Sequence, residues 1–340
     1  MTPPPLLETT PPADRQDIIR DGIFWFQDGN IILVAKDHGP DARPTGFRVH
    51  KGVLSRHSVT FDALLSFPPP QPTDPDLVEG CPVMHVTDCT HDTRDLVRVS
   101  YDGWLWDRHV PMKFCTAAAL VRLSHKYEIC WLFEAAIKRL NAVFTDNRRV
   151  WNLNIGQSNS SLSLKSEDAI EAVNLFRTTQ MPRMLPVALY LCSELESAIL
   201  LRGVIRHDGF LEQLSADDLR RCLDGKESLM SAKTSYALST IGGGAPFGCY
   251  TPLECDRVVR AARPAYAFVA SDDNHPPLRI QCTVSRGALM PIFNWSLLYG
   301  LCPMCRAILL NRDDDFSRRL WRRLPEIMRL DIEGWDSASG

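Results

Sequence analysis

"GFRVHKGVLSRHS", residues 46–58, changes its period part-way along. Over "GFRVH" apolar and polar residues alternate, so Phe47 and Val49 share one side of a half-buried strand and Arg48 and His50 the other. From Lys51 the repeat becomes helical, with Val53, Leu54, His57, Phe61, Leu64 and Leu65 on one face. A strand hands over to a helix at His50-Lys51, and this junction explains why polar residues sit among core ones. His50 and His57 are seven positions apart across the junction, whereas a zinc pair on one helix wants a spacing of four, as in H-E-x-x-H. A half-buried imidazole bonded to backbone is the expectation for them, not a metal ligand.

Upstream, "IFWFQDGNIILVAKD" (23–37) holds two apolar runs rich in β-branched and aromatic residues, which predict strands at about 23–27 and 30–36. Asp28-Gly29 between them is a pair that tolerates the positive φ of a tight turn, so the two runs read as a hairpin. "HGPDARPTG" (38–46) is a turn-rich loop. Downstream, one or two short helices end before "PPPQPTDP" (68–75), because each proline removes a donor and blocks the preceding turn. "PVMHVTD" (82–88) is a short strand and "TRDLVRVSYDG" (93–103) a helix closed near Gly103. Two amphipathic helices follow, "MKFCTAAALVRLSHKYEI" (112–129), with Ala117, Leu120, Val121 and Leu123 on one side, and "CWLFEAAIKRLNAVF" (130–144). Residues 20–142 therefore read β-β-β-α-α-β-α-α-α, an α+β domain, preceded by a flexible tail over 1–19.

Residues 143–340 read as mostly helical. "LSLKSEDAIEAVNLFRTTQ" (162–180) has a candidate cap at Ser166, and "PRMLPVALYLCSELESAILL" (182–201) a second helix. "SADDLRRCLDGKESLMSAKTSYAL" (215–238) opens on a cap at Ser215 with acids beside the positive helix end. "IGGGAPFG" (241–248) is a loop; no Gly-Lys-Ser/Thr follows it, so it is not read as a phosphate cradle. "DFSRRLWRRLPEIMRLD" (315–331) closes the chain, with Phe316, Leu320, Trp321, Leu324 and Ile327 inward.

Composition narrows the function classes. The chain has 340 residues, 45% of them hydrophobic, which suits two globular domains. Lys+Arg total 38 against Asp+Glu 41, a net charge of -3, so a dominant nucleic-acid footprint is not expected. Asp313–Asp315 precede Arg318, Arg319, Arg322 and Arg323; local i,i+4 pairing on a solvated face is the reading. "PVALYLCSELESAILL" is interrupted by Glu194 and Glu196, so a buried helix is expected and not a membrane span. "MTPPPLLETTPP" (1–12) lacks the basic and apolar regions of a secretion leader. With 11 cysteines, an odd number, reduced thiols in an intracellular protein, cytoplasmic or nuclear, are the expectation.

The sharpest chemical signal is "LCPMCRAIL" (301–309). Cys302 and Cys305 are two residues apart with Pro303 forcing a turn, which lets both thiolates meet one tetrahedral ion. Cys249 and Cys255 in "CYTPLEC" are the candidates for the other two ligands, with Cys282 in reserve. Residues 241–310 hold a loop-rich segment that a structural zinc would stabilise. Thiols packed as small hydrophobes are the alternative. No G-x-S-x-G elbow or other catalytic constellation is present, so no enzymatic activity is expected.

"FRVHKGVLSRHSVTFDALL" resembles the strand-to-helix signature of the BTB/POZ family, through Val49, His50, Lys51, Val53, Leu54, Ser58 and Phe61. "MHVTD", "LVRVSYDG" and "AAALVRLSHKYEICWLFEAAIKRL" are similar to that family's third strand and closing helices, so the resemblance covers 20–142. "FWFQDGNIILVA", "FRVHKGVLSRHS" and "EGCPVMHVTD" together resemble the BTB-domain proteins of mushroom-forming fungi. The resemblance implies a non-enzymatic protein–protein interaction module that forms homodimers or pairs with another BTB protein. Adaptors of cullin-type ubiquitin ligases are one such role; the residues of the cullin contact are not matched here. The family's dimeric transcription factors often carry an Asp facing the basic residue that here is Lys51; this chain has Asn30, which implies a hydrogen bond in place of an ion pair. The alternative to an interaction module is a zinc-containing transcriptional regulator.

Overall fold

A computed structural model of the chain describes residues 18–66, 77–103, 111–154, 162–271 and 299–335. The proline tract, Cys282 and nearly all of the tail lie outside the described residues. The protein is α+β, with its sheet toward the N-terminus and a mostly helical remainder. By proximity of the backbone it divides into two compact units, one of residues 1–107, 123–133 and 205–210, the other of 108–122, 134–204 and 211–340. The division does not fall at 142/143: residues 108–122 and 134–142 group with the helical unit, and the short segment 205–210 with the sheet.

The first unit is built on a five-stranded sheet. Strands β1 (Ile19–Trp25), β2 (Ile31–Ala35) and β3 (Thr45–Val49) precede helices α1 (Lys51–His57) and α2 (Val59–Ser66), then β4 (Leu77–Val78), β5 (Cys81–His85) and α3 (Thr90–Asp102). The strand order is β1-β3-β2-β5-β4. All five residues of β2 are buried, because it is central and covered on both faces, where a continuous apolar run belongs. It pairs antiparallel with β3, Leu33 opposite Phe47, and parallel with β5, Leu33 opposite Met84.

The hairpin expected across Asp28-Gly29 does not form, since β3 lies between β1 and β2 and β1 pairs with β3 in parallel. Two apolar runs separated by a tight-turn dipeptide carry no information about which strand later inserts between them. Gly29 is needed for close approach and not for a positive φ: a Cβ there would lie 2.9 Å from Arg48 Cγ and 3.0 Å from the Phe26 carbonyl oxygen. The helices follow the expected order. Gly103, at φ 61° in the left-handed region, closes α3 through its N–H to the Val99 carbonyl. Phe47, Val49, Leu54 and Phe61 are buried as expected, whereas Leu64 is 52% exposed.

The second unit begins with β6 (Met112–Lys113), which pairs in parallel with β7 (Leu162–Ser163). Helices α4 (Phe114–Lys126) and α5 (Cys130–Leu140) follow, with residues 123–133 between their outer parts grouping with the first unit; Ala117, Leu120, Val121 and Leu123 of α4 are all buried, as their spacing requires. Next come α6 (Arg148–Asn154), α7 (Asp168–Thr178), α8 (Leu185–Ser193) and α9 (Ser197–Arg202), then the short pair β8 (Val204–Ile205) and β9 (Leu211–Glu212). The unit ends with α10 (Ala216–Gly242), α11 (Pro252–Ser271), α12 (Pro303–Arg322) and α13 (Leu324–Ile327). The single helix expected over 182–201 is two helices, broken at Glu194–Glu196. Ser166 is not the cap of α7; that position is Glu167, without a side-chain bond, and Asp168 Oδ2 instead accepts from the Lys165 N–H at 2.7 Å. Ser215 does cap α10, its hydroxyl accepting from the Asp218 N–H at 3.1 Å. Asp313–Asp315 lie inside α12 and not before it; Asp314 pairs with Arg318 one turn on, at 2.6 Å. Trp151 and Trp321, 5.5 Å apart between ring centres, are fully buried at the centre of this unit. Among the described residues no helix is long and apolar enough to cross a membrane.

Candidate metal centre

The four cysteines singled out by spacing come together in the second unit. Cys249, Cys255, Cys302 and Cys305 place their sulfurs within 4.8 Å of one another. Three local structures bring them there. Cys249 sits in the loop after α10. Cys255 is in the first turn of α11, its N–H bonded to the Thr251 carbonyl at 2.9 Å. Cys302 is the N-cap of α12, with Pro303 at the first helical position, where a missing N–H costs nothing. Its sulfur accepts from the Cys305 N–H at 3.5 Å, so the two-residue spacing is set by helix capping itself. Two of the four sulfurs thus ride on first turns of helices and a third caps one.

Cys255 and Cys305 are buried beside Val259, Leu301 and Leu309, while Cys249 and Cys302 are partly buried at the edge of that cluster. Cys249 Sγ and Cys302 Sγ are 3.8 Å apart. That is too far for a disulfide, whose S–S length is about 2.05 Å. It matches the edge of a tetrahedron with arms of about 2.3 Å, the Zn–S distance, which is about 3.8 Å. The donor set is four thiols with nothing harder among them, which suits a soft or borderline ion. Four sulfurs also fill a tetrahedral shell, the arrangement of structural rather than catalytic sites.

The thiols share protons unequally. The Cys305 N–H, then the Tyr250 N–H and the neighbouring thiols, bring Cys302 down to about 6, so it carries a negative charge at neutral pH. Burial pushes the Cys305 thiol up, and its sulfur neighbours add to this. Burial raises Cys249 as well. The cluster is one thiolate solvated by thiol donors, a state a divalent cation would convert by displacing the remaining protons.

The strand-to-helix junction of the first unit is held by hydrogen bonds. The His50 N–H donates to Tyr101 Oη at 2.8 Å, and its Nδ1 lies 2.9 Å from the same hydroxyl. The Lys51 N–H donates to Asn30 Oδ1 at 2.8 Å; Asn30 holds the backbone at the helix start and not the ammonium. Ser58 Oγ accepts from the Phe61 N–H at 2.9 Å and donates to the Tyr127 carbonyl at 2.5 Å. Phe61 stacks on Tyr127 with ring centres 4.3 Å apart. His57 meets the Trp131 ring edge-on. The five signature residues Asn30, His50, Lys51, Ser58 and Phe61 are therefore structural.

A second group escaped sequence reading. Cys89, Asp92 and His207 bring one sulfur, one carboxylate oxygen and one ring nitrogen within 4.8 Å of one another in the first unit. Only folding joins them, since 118 positions separate Cys89 from His207 and no spacing motif spans that distance. No family model matches the chain, and no curated protein does either.

Proposed function

We propose that this chain is a non-enzymatic protein–protein interaction module of the BTB/POZ type, self-associating through its sheet unit, with its helical unit held together by a structural zinc ion. The feature that carries the first part is the edge of the sheet. Among the described residues strand β1 is terminal in the strand order; its pairing is irregular between Arg20 and Trp25, where the Ile23 N–H donates to Asp21 Oδ1 at 3.0 Å. It presents Ile19 and Ile23, 42% and 63% exposed, beside the exposed charge of Arg20. An edge of this kind is a template for pairing with a second chain. The same surface would serve a second copy or another protein of the same fold. An adaptor role toward a cullin scaffold is the more specific form of this reading.

Zinc is supported by the all-sulfur donor set and the 3.8 Å edge. The ion's work there would be to cross-link the starts of α11 and α12 with the loop that precedes them. A zinc-containing transcriptional regulator is the second reading, favoured by the same four thiolates. Against it, Arg318 and Arg323 are paired with Asp314 and Glu326 and do not form a free basic stripe. Its mark would be a steep fall of DNA affinity with salt.

The test of the main reading is co-purification. A tagged copy should recover an untagged copy of the full chain from a mixed expression, and Ile23→Glu should abolish recovery without changing the far-UV spectrum. Failure of the wild-type chain to recover itself, or to bind any protein of the same fold, would sink it.

A further inference from the structure

Cys89 is the N-cap of α3, Asp92 lies in that helix's first turn, and His207 is on the segment 205–210, the part of the chain beyond residue 133 that groups with the sheet unit. Cys89 and Asp92 are each 3% exposed, and His207 is exposed. A second imidazole stands beside the first: the rings of His91 and His207 are 3.9 Å apart between centres. His91 Nδ1 is 3.9 Å from Asp92 Oδ1 and 3.7 Å from Asp95 Oδ2.

Two buried polar atoms beside the group make no hydrogen bond. The Asp95 side chain is 8% exposed, and its buried Oδ2 accepts no hydrogen bond. The buried His91 Nδ1 makes none either. Arg98 Nη1 stands 4.0 Å from the other Asp95 oxygen, so the carboxylate has a distant cation on one side and no hydrogen bond on the other. Two imidazoles in ring contact cannot both comfortably hold a proton, so they do not supply two positive charges. Asp208, on the same segment, is already paired with Arg206 and lies 3.4 Å from His38.

We propose that Cys89 Sγ, the Asp92 carboxylate and a His207 ring nitrogen bind a divalent transition metal of the zinc class, with His91, whose ring touches that of His207 but stands outside the 4.8 Å group, turning in as the fourth ligand. One sulfur, one oxygen and two nitrogens suit zinc or cobalt. Calcium and magnesium want six or more oxygens, which this set does not offer. Burial, with Asp92 adding to it, holds the Cys89 thiol protonated, so binding must release that proton to solvent as the S–metal bond forms. Asp95 stands behind His91 and would orient it, as carboxylates do behind metal-bound histidines. The ion would tie segment 205–210 to the start of α3 across a long chain loop, which restricts the unfolded chain.

The test uses the full chain, freed of metal and titrated with Co²⁺ as an optical probe. His207→Ala removes an exposed ligand and should leave the fold intact; Cys89→Ser keeps an N-cap oxygen in place of the sulfur. Wild type should bind one equivalent that both variants lose, together with the sulfur-to-cobalt absorption of a single thiolate, with far-UV spectra unchanged. Asp95→Asn should retain the site with affinity reduced about 10- to 100-fold. The four-cysteine absorption is distinct in intensity, so its presence or absence does not enter the result. Equal Co²⁺ stoichiometry and identical spectra in wild type, His207→Ala and Cys89→Ser would overturn the assignment.

Discussion

Cys302 differs from the three cysteines around it because its sulfur faces backbone N–H groups at the start of a helix. Its thiol, brought to about 6 by the Cys305 N–H first and the Tyr250 N–H next, should be the first to react with iodoacetamide at neutral pH. Mass spectrometry of the metal-free chain should find the alkylation rate at Cys302 half-maximal near pH 6 and falling below it, with zinc abolishing the reaction. Slower labelling there than at exposed Cys130 would contradict the geometry. Ser58 is the corresponding test in the first unit. It caps α2 and reaches the Tyr127 carbonyl, so Ser58→Ala removes a cap and a buried donor. The expected loss is about 2 kcal/mol in chemical unfolding, the sum of about 1 for each. Sequence reading marked Ser58 only as part of a family signature; its place as a cap emerges from the structure. Ser166 does not cap α7, which starts one residue later, after Glu167, with Asp168 Oδ2 accepting from the Lys165 N–H ahead of the helix.

At the scale of elements, local chemistry predicted strands and helices well and their pairing poorly. The apolar run of β2 and the alternation of β3 are properties of each strand alone. The insertion of β3 between β1 and β2 depends on contacts that no dipeptide encodes, and Gly29 served close packing under Arg48 instead of a hairpin. The four-cysteine cluster was legible because C-P-x-C is itself a helix start, which carries two sulfurs on one turn. Helix α11 was not: the Gly and Pro content of 241–300 hid a helix that begins at Pro252. Zinc should act on these elements. Metal removal, or Cys305→Ser, should lower the stability of α11 and α12, read as faster hydrogen exchange over 252–261 and 303–322, while β2 and β3 keep their protection. The effect has a pH sign. Cys249 and Cys305 hold their protons at neutral pH, so binding releases them and zinc affinity should rise with pH across 6–8. Equal exchange with and without zinc would remove the ion from the account.

For the whole molecule, the net charge is near neutral and the chain packs as two units. The group at Cys89, Asp92 and His207 was invisible in sequence because its members are joined by the fold alone. That β1 is terminal among the described strands was invisible for the same reason, since strand order is a property of the whole sheet. Self-association through that edge is the claim on which the functional reading rests. Sedimentation equilibrium of the full chain measures it most directly. The account predicts a mass that rises with concentration from 38.3 kDa toward twice that value, and a constant monomer mass for Ile23→Glu. A single monomer mass for both proteins at every concentration, or a dimer that Ile23→Glu leaves intact, would contradict it.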